Sequence, residues 1–210
     1  MTTLPAGITP HADFVRIRTR LQRLALQAVP FRQHVYRMIN PLYCKNADIL
    51  NGMGGLRASG RWNIRRPFHC TYTSCSPETA LSEVLMASRR KGLPDETALP
   101  RVLVCLVIEV QKSLDLTDGS VRQSARLALR RMVDEPWWIE NQSGREAWTQ
   151  AIGRAAAEMG FEAIIAPSHT DSKTGTNVIV FPENLGVTSR WEVIRSEERR
   201  VGKECGLLCR

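Results

Sequence analysis

Residues 102–110 read VLVCLVIEV, a run that offers water almost no polar face. Successive side chains of a strand point to opposite faces, so a run that is apolar at nearly every step has to be covered on both sides. It is therefore expected as a central strand with other layers packed against it. Its longest unbroken apolar stretch, residues 102–108, is too short to cross a bilayer, and no secretory pattern opens the sequence. The expectation is a protein that is neither membrane-spanning nor secreted. With 210 residues, 43% hydrophobic and 24% charged, the chain can bury such a strand in one domain and is too apolar to stay disordered. No Pro/Gly/Ser-rich linker and no internal repeat divides it.

Helices and shorter strands surround that run. Phe14, Ile17, Leu21, Leu24 and Ala28 recur at helical spacing, which predicts an amphipathic helix stopped by Pro30. Residues 34–40 (HVYRMIN) have the β-branched and aromatic content of a strand. Residues 42–67 are irregular and carry several glycines, and residues 69–74 read as a short strand. A helix follows, with Ser76 as N-cap, Pro77 in its first turn, Glu78 as an early acid and Gly92 as its stop. Residues 119–133 are expected as one amphipathic helix with Ala125, Ala128, Leu129 and Met132 on one face. Residues 136–138 (PWW) fall in a connection, where packing is the expected role of Trp137 and Trp138, and 145–159 read as a further helix ended by Gly160. Strands at 163–166 and 177–181, joined by a polar loop, complete the pattern. Strands and helices mix without regular βαβ alternation, so the class is α+β.

Lys and Arg outnumber Asp and Glu by 29 to 21, a net charge of +8. This balance suits an anionic partner (a nucleotide, nucleic acid or acidic protein) and equally a merely soluble surface. Arg16, Arg20 and Arg23 lie off the apolar face of the first helix and read as a solvated outer face, so direct nucleic-acid binding is not expected. The six cysteines show no CxxC and no zinc spacing with the four histidines. Reduced thiols, no metal and a cytoplasmic setting are the expectation. Residues 196–210 (SEERRVGKECGLLCR) have no period and two stray cysteines, and read as a non-native tail. Setting them aside removes four basic and three acidic residues, so the basic excess belongs to the body of the chain.

Two charged residues break the pattern around them. On a strand, Val35, Arg37 and Ile39 share one face and Tyr36 and Met38 the other, so the Arg37 guanidinium is flanked by core. On the helix after Ser76, Glu83 shares a stripe with Ala80, Val84 and Ala87. A buried charge must be paired or functional, because burying it alone is costly. A buried salt bridge or an edge position would explain Arg37, and pairing with Arg37 or another arginine would explain Glu83. The functional alternative is a guanidinium aimed at a phosphate or carboxylate, and a carboxylate in a cleft. The segment 51–63 (NGMGGLRASGRWN) is neither a Rossmann fingerprint nor a Walker loop, and reads as a flexible loop whose backbone and arginines could cradle an anion. Ser168 and His169 are adjacent, which excludes a Ser–His triad pair, and no GxSxG elbow is present. Ser168 is read as a hydrogen-bond donor at a pocket rim or as an ordinary turn serine.

Taken in order, these segments resemble the RES domain, named for its Arg, Glu and Ser. The matching pieces are Tyr36-Arg37, then Gly60-Arg61-Trp62-Asn63, then residues 72–84 (YTSCSPETALSEV), then Ala166-Pro167-Ser168, then residues 177–185 (NVIVFPENL). The spacing from Tyr72 to Glu83 also fits the family pattern. The resemblance spans roughly residues 34–185 and suggests an N-terminal helical extension over 1–33 ahead of a RES-like catalytic domain over 34–190. It implies an ADP-ribosyltransferase-like fold, a split mixed α+β sheet with flanking helices around an NAD-binding cleft. It also implies a toxin of a type II toxin–antitoxin pair, blocked by a cognate antitoxin with an Xre-type helix-turn-helix. The implied substrate is NAD⁺, cleaved at its nicotinamide–ribose bond by hydrolysis or phosphorolysis. By the same match Arg37, Glu83 and Ser168 fall at the catalytic positions, and Arg37, Arg61, Tyr72 and Asn177 at the positions that bind the dinucleotide. In that picture Glu83 stabilises a ribosyl cation, Arg37 and Arg61 hold the diphosphate, Tyr72 stacks on nicotinamide and Ser168 orients a ribose or nicotinamide group. Two departures bear on the shape of the phosphate loop: Ser59 stands where the family usually has a second glycine, and residues 64–68 (IRRPF) lack the usual glycine turn. The alternatives are a mono-ADP-ribosyltransferase with a protein target and a non-catalytic nucleotide or nucleic-acid binding protein. A homo-oligomer is compatible with all three.

Overall fold

The long apolar run organises a curled, mixed sheet. The computed structural model describes residues 2–170 and 175–194, so the residues read as a non-native tail lie outside the described residues. The strands are β1 (Val29–Ile39), β2 (Thr71–Ser74), β3 (Val102–Asp115), β4 (Ala163–Pro167), β5 (Thr176–Val180) and β6 (Arg190–Val193). β3 pairs antiparallel with β1 along most of its length. Its other edge is shared: Leu106–Glu109 pair with β6, and Ser113–Asp115 run parallel to β4. β4 continues to β5, and β5 to β2. β2 returns to β1 through a single pair, Tyr36 with Ser74, so the pairings close a ring that is weakest there. The expected α+β class and split mixed sheet are what the chain adopts.

The apolar runs are explained by two cores. Val35 and Ile39 of β1, alternate residues Val104 to Val110 of β3, Ala163 and Ile165 of β4, and Val178 and Val180 of β5 form one cluster. Their neighbours Ile164, Ala166 and Ile179 join a second cluster beneath the helices. Central strands buried on both faces cannot alternate polar with apolar residues. Where the edge of β3 passes from β6 to β4, two backbone N–H groups lack a strand partner. The buried Glu162 accepts from both, at Gln111 and Lys112, and from Gly186 N and Ser189 Oγ. Burial raises its pKa, but these hydrogen bonds outweigh it and hold the carboxyl below the usual range.

The helices are α1 (Phe14–Ala25), α2 (Asn46–Leu50), α3 (Met53–Arg57), α4 (Pro77–Arg89), α5 (Gly119–Ala125), α6 (Leu129–Asp134), α7 (Trp137–Gln142) and α8 (Trp148–Glu158). α1 packs on α8 and places Phe14, Ile17 and Leu21 in the second core, so the segment expected as an extension shares the core of the domain. The expected boundary at residue 33 falls inside β1, which starts five residues before the predicted strand. Three further expectations need correction. Residues 42–67 contain the short helices α2 and α3. Residues 119–133 are two helices, because Arg126 turns into the left-handed region (φ 54°) and sends Leu127 into the core, leaving Ala128 and Leu129 exposed. The PWW connection begins a helix, α7. β6, which the sequence pattern did not suggest, completes the sheet.

Candidate active site

The site lies where the ring of strands is weakest. Arg37 follows Tyr36 on β1, and α4 starts directly after β2 because Ser76 Oγ accepts from Thr79 N and Pro77 opens the helix. Beside this junction is a cavity of about 490 Å³, lined among others by Arg37, Arg61, Tyr72, Glu83 and Asn177. Five of the six residues singled out from the sequence therefore face one space. Ser168, the sixth, stands behind it.

Glu83 is held from that side. Pairing of Ala166 with Asn177 and of Pro167 with Thr176 brings the end of β4 and the start of β5 together next to α4. Ser168 Oγ and Asn177 Nδ2 each donate to Glu83 Oε1 at 2.7 Å, and Asn177 Oδ1 accepts from Ser74 Oγ at 2.7 Å. Ser168 is 0% exposed. A hydroxyl has one proton to give, and here it goes to Glu83, so the N–H and hydroxyl of Thr170 donate to Ser168 Oγ. The expected contact of Ser168 with a ribose or nicotinamide group gives way to a grip on the carboxylate. Nor is Glu83 the partner of Arg37, since Arg37 Nη1 donates to Ile49 O at 2.7 Å.

The cationic groups are placed at a cost. Burial pulls the pKa of Arg37 below its ordinary value. Arg61, 8% exposed, donates through Nη1 to Met132 O (2.7 Å) and Glu135 O (3.1 Å), while its buried Nη2 has no protein partner. Burial, then repulsion from Arg90, pull its pKa down as well, against the opposing effect of Glu83. With Arg90 and Lys91 the wall carries four cationic side chains and one carboxylate. Such an arrangement favours an anionic ligand that restores lost hydration.

Tyr72 organises the loop that carries Arg61. Its hydroxyl accepts from Trp62 N at 2.8 Å and donates to Asn63 Oδ1 at 2.9 Å, and burial holds the phenol well above its ordinary pKa. Asn63 Nδ2 in turn donates to Gly55 O and Ala58 O, each at 2.9 Å. Gly60 has to be glycine, because a Cβ there would sit 2.7 Å from the Tyr72 hydroxyl oxygen. The two departures noted in the sequence are accommodated locally. Ser59 Oγ accepts from Arg65 N at 3.1 Å, and Arg66 adopts φ 83°, the region a glycine would enter without strain. Tyr72→Phe strands the Trp62 N–H and Asn63 Oδ1, so it is expected to cost about 1–3 kcal/mol in urea denaturation. Unchanged stability would contradict this role for the hydroxyl.

Cys70 also lines the cavity, but burial pushes its thiol up to about 12 and leaves it protonated at neutral pH. A raised pKa stabilises the fold below the ordinary thiol range, and the contribution is lost as pH climbs toward about 12. Alkylation with iodoacetamide at pH 8, mapped by peptide mass spectrometry, should modify the exposed Cys44 and spare Cys70 until the protein is unfolded. Rapid labelling of Cys70 in the native protein would contradict its burial.

Sequence reasoning missed Arg90, Lys91 and His169 and expected Trp137 and Trp138 to pack; all five line the cavity. Arg90 was legible as the next turn of the stripe 83, 87, 90. His169 follows Ser168 directly, and its Nδ1 donates to Val133 O, which can only accept. Among the described residues, no group of His, Cys, Asp or Glu is placed to hold a metal ion, and no helix is long and apolar enough to cross a membrane.

Comparison of the sequence with protein families matches residues 34–201 to the RES domain. The chain belongs to the RES domain family. Among solved structures, the RES fold seen here is similar to a chain of the crystal structure of the M. tuberculosis MbcT–MbcA toxin–antitoxin complex. The two are 22% identical with a TM-score of 0.65, over 86% of this chain and 90% of that chain. A comparison with curated proteins finds no match. The RES match begins within β1, while α1, which precedes it, packs into the same core.

Proposed function

We propose that this RES domain is a toxin that degrades NAD⁺ by cleaving the nicotinamide–ribose bond, with water or phosphate as acceptor, and that a cognate Xre-type antitoxin neutralises it. The observation that carries the reading is Glu83, fixed by Ser168 and Asn177 in a cavity whose other charged walls are cationic. When the glycosidic bond breaks, its electron pair goes to the nicotinamide nitrogen, which leaves as a neutral group. Positive charge then develops on the ribose near C1′. A carboxylate already oriented by two hydrogen bonds stabilises that charge without reorganising, and preorganised stabilisation of this kind often dominates an enzyme's rate enhancement. The oxygen of water or phosphate then bonds to C1′ and gives up its proton to solvent. Arg37 and Arg61 hold the diphosphate, and the Tyr72 ring forms the wall against nicotinamide. Ser168 and Asn177 act through Glu83 as positioning residues.

The family assignment and the similarity to a chain of a toxin–antitoxin complex support the toxin reading. The test is incubation of the purified protein with NAD⁺, with and without inorganic phosphate, followed by chromatography of the nucleotides and a scan for labelled protein. Free nicotinamide with ADP-ribose or its phosphorylated form supports the reading. Labelled protein with little free product would replace it with protein ADP-ribosylation, and intact NAD⁺ would overturn it. In cells, expression should arrest growth, and co-expression of the antitoxin should relieve the arrest.

A further inference from the structure

α4 continues past Glu83 along the cavity to Arg90, which the proposed reaction leaves without a role, as it does Trp137 and Trp138. Glu83, Ala87 and Arg90 lie on one stripe, and seven residues of helix separate Glu83 from Arg90 by about 10 Å. The Arg90 guanidinium lies over the rings of Trp138 (5.2 Å to the centroid) and Trp137 (6.0 Å). The two indoles meet edge to face with centroids 6.1 Å apart. α7, which carries them, has no fully buried residue, and both rings are half-buried and line the cavity. They are not core fillers.

The unmet hydrogen-bonding capacity is concentrated here. Among the described residues, the buried nitrogens without a protein partner include Arg61 Nη2, Arg90 Nε and Trp137 Nε1, all on residues lining this cavity. All three can only donate. Burying donors unpaired is costly, so the complementary ligand brings acceptors, negative charge and a flat ring. Indole faces and guanidinium planes are the surfaces on which nucleic-acid bases stack.

We infer that this wall seats the ADP half of a dinucleotide, with phosphate oxygens on Arg61 Nη2 and Arg90 Nε and the purine against Trp137 and Trp138. Which end of the dinucleotide lies here rests on the reading of Glu83 as acting at the nicotinamide ribose. Recognition of ADP itself needs no cleavage.

Calorimetric titration of the full-length protein with ADP, alongside NAD⁺ kinetics, tests the assignment. The wild type should bind ADP, and the double substitution Trp137→Ala/Trp138→Ala should weaken binding at least about 10-fold. The same variant should raise KM for NAD⁺ more than it lowers kcat, the mark of lost ground-state binding. Trp137→Phe/Trp138→Phe, which keeps a stacking face, should recover most of the affinity. If the double alanine variant melts below the assay temperature, Arg90→Gln carries the test, with about 10-fold weaker ADP binding expected. Wild-type ADP affinity in the alanine variant, or no ADP binding by the wild type, would overturn the inference. Trp-dependent ADP binding without NAD⁺ consumption would leave it standing and remove the proposed reaction. NAD⁺ consumption with an unchanged KM in the tryptophan variants would do the reverse.

Discussion

Glu83→Gln is expected to leave the fold intact and to slow NAD⁺ consumption by at least ~10²-fold, the loss typical of deleting one preorganised electrostatic stabiliser. Glutamine has nearly the same shape and keeps an oxygen that can accept from Ser168 Oγ and Asn177 Nδ2, which now meet at Glu83 Oε1. What it lacks is the negative charge facing the developing ribosyl cation. The effect should therefore appear in kcat, with the thermal midpoint close to that of the wild type. Wild-type turnover in this variant would remove Glu83 from the chemistry. Ser168→Ala should give a smaller loss of the same kind, because the serine acts only by orienting the carboxylate.

Gly153→Ala should damage stability more than Tyr72→Phe does. Gly153 lies inside α8, where glycine is a poor helix former, yet a Cβ there would overlap Trp62 O and stand 2.7 Å from Trp62 C. Both atoms are backbone and cannot swing aside. Overpacking usually costs about 1–3 kcal/mol, and an overlap with fixed backbone points to at least ~3 kcal/mol. For a chain of this size that corresponds to a fall of at least about 6 °C in Tm. The displaced residue sits between Arg61 and Asn63, so nucleotide affinity should fall with stability. A melting temperature equal to the wild type's would show that α8 does not press on this loop.

The residues that carry charge into an apolar context were legible in the sequence, because that conflict is visible without coordinates. Arg37 between Val35 and Ile39, and Glu83 between Ala80 and Ala87, both line the cavity. The start of α4 was equally plain, since Ser76, Pro77 and the later Gly92 supply local signals at both ends. Less legible was anything decided by distant partners. The break between α5 and α6 depends on the core's demand for Leu127, which no helical period expresses. β6 is short and half-exposed, and exists because β3 offers it an open edge. The grip of Ser168 on Glu83 spans 85 positions in the chain, so spacing alone left the serine as a pocket-rim donor. Trp137 and Trp138 read as packing residues because nothing local reveals that Arg90 lies over them.

The most direct measurement is a crystal structure of the Glu83→Gln protein soaked with NAD⁺, slowed enough to hold the intact dinucleotide. The nicotinamide ribose is expected in van der Waals contact with residue 83 and the diphosphate on Arg37 and Arg61. Dinucleotide bound outside this cavity, or lying with its glycosidic carbon remote from residue 83, would contradict this placement.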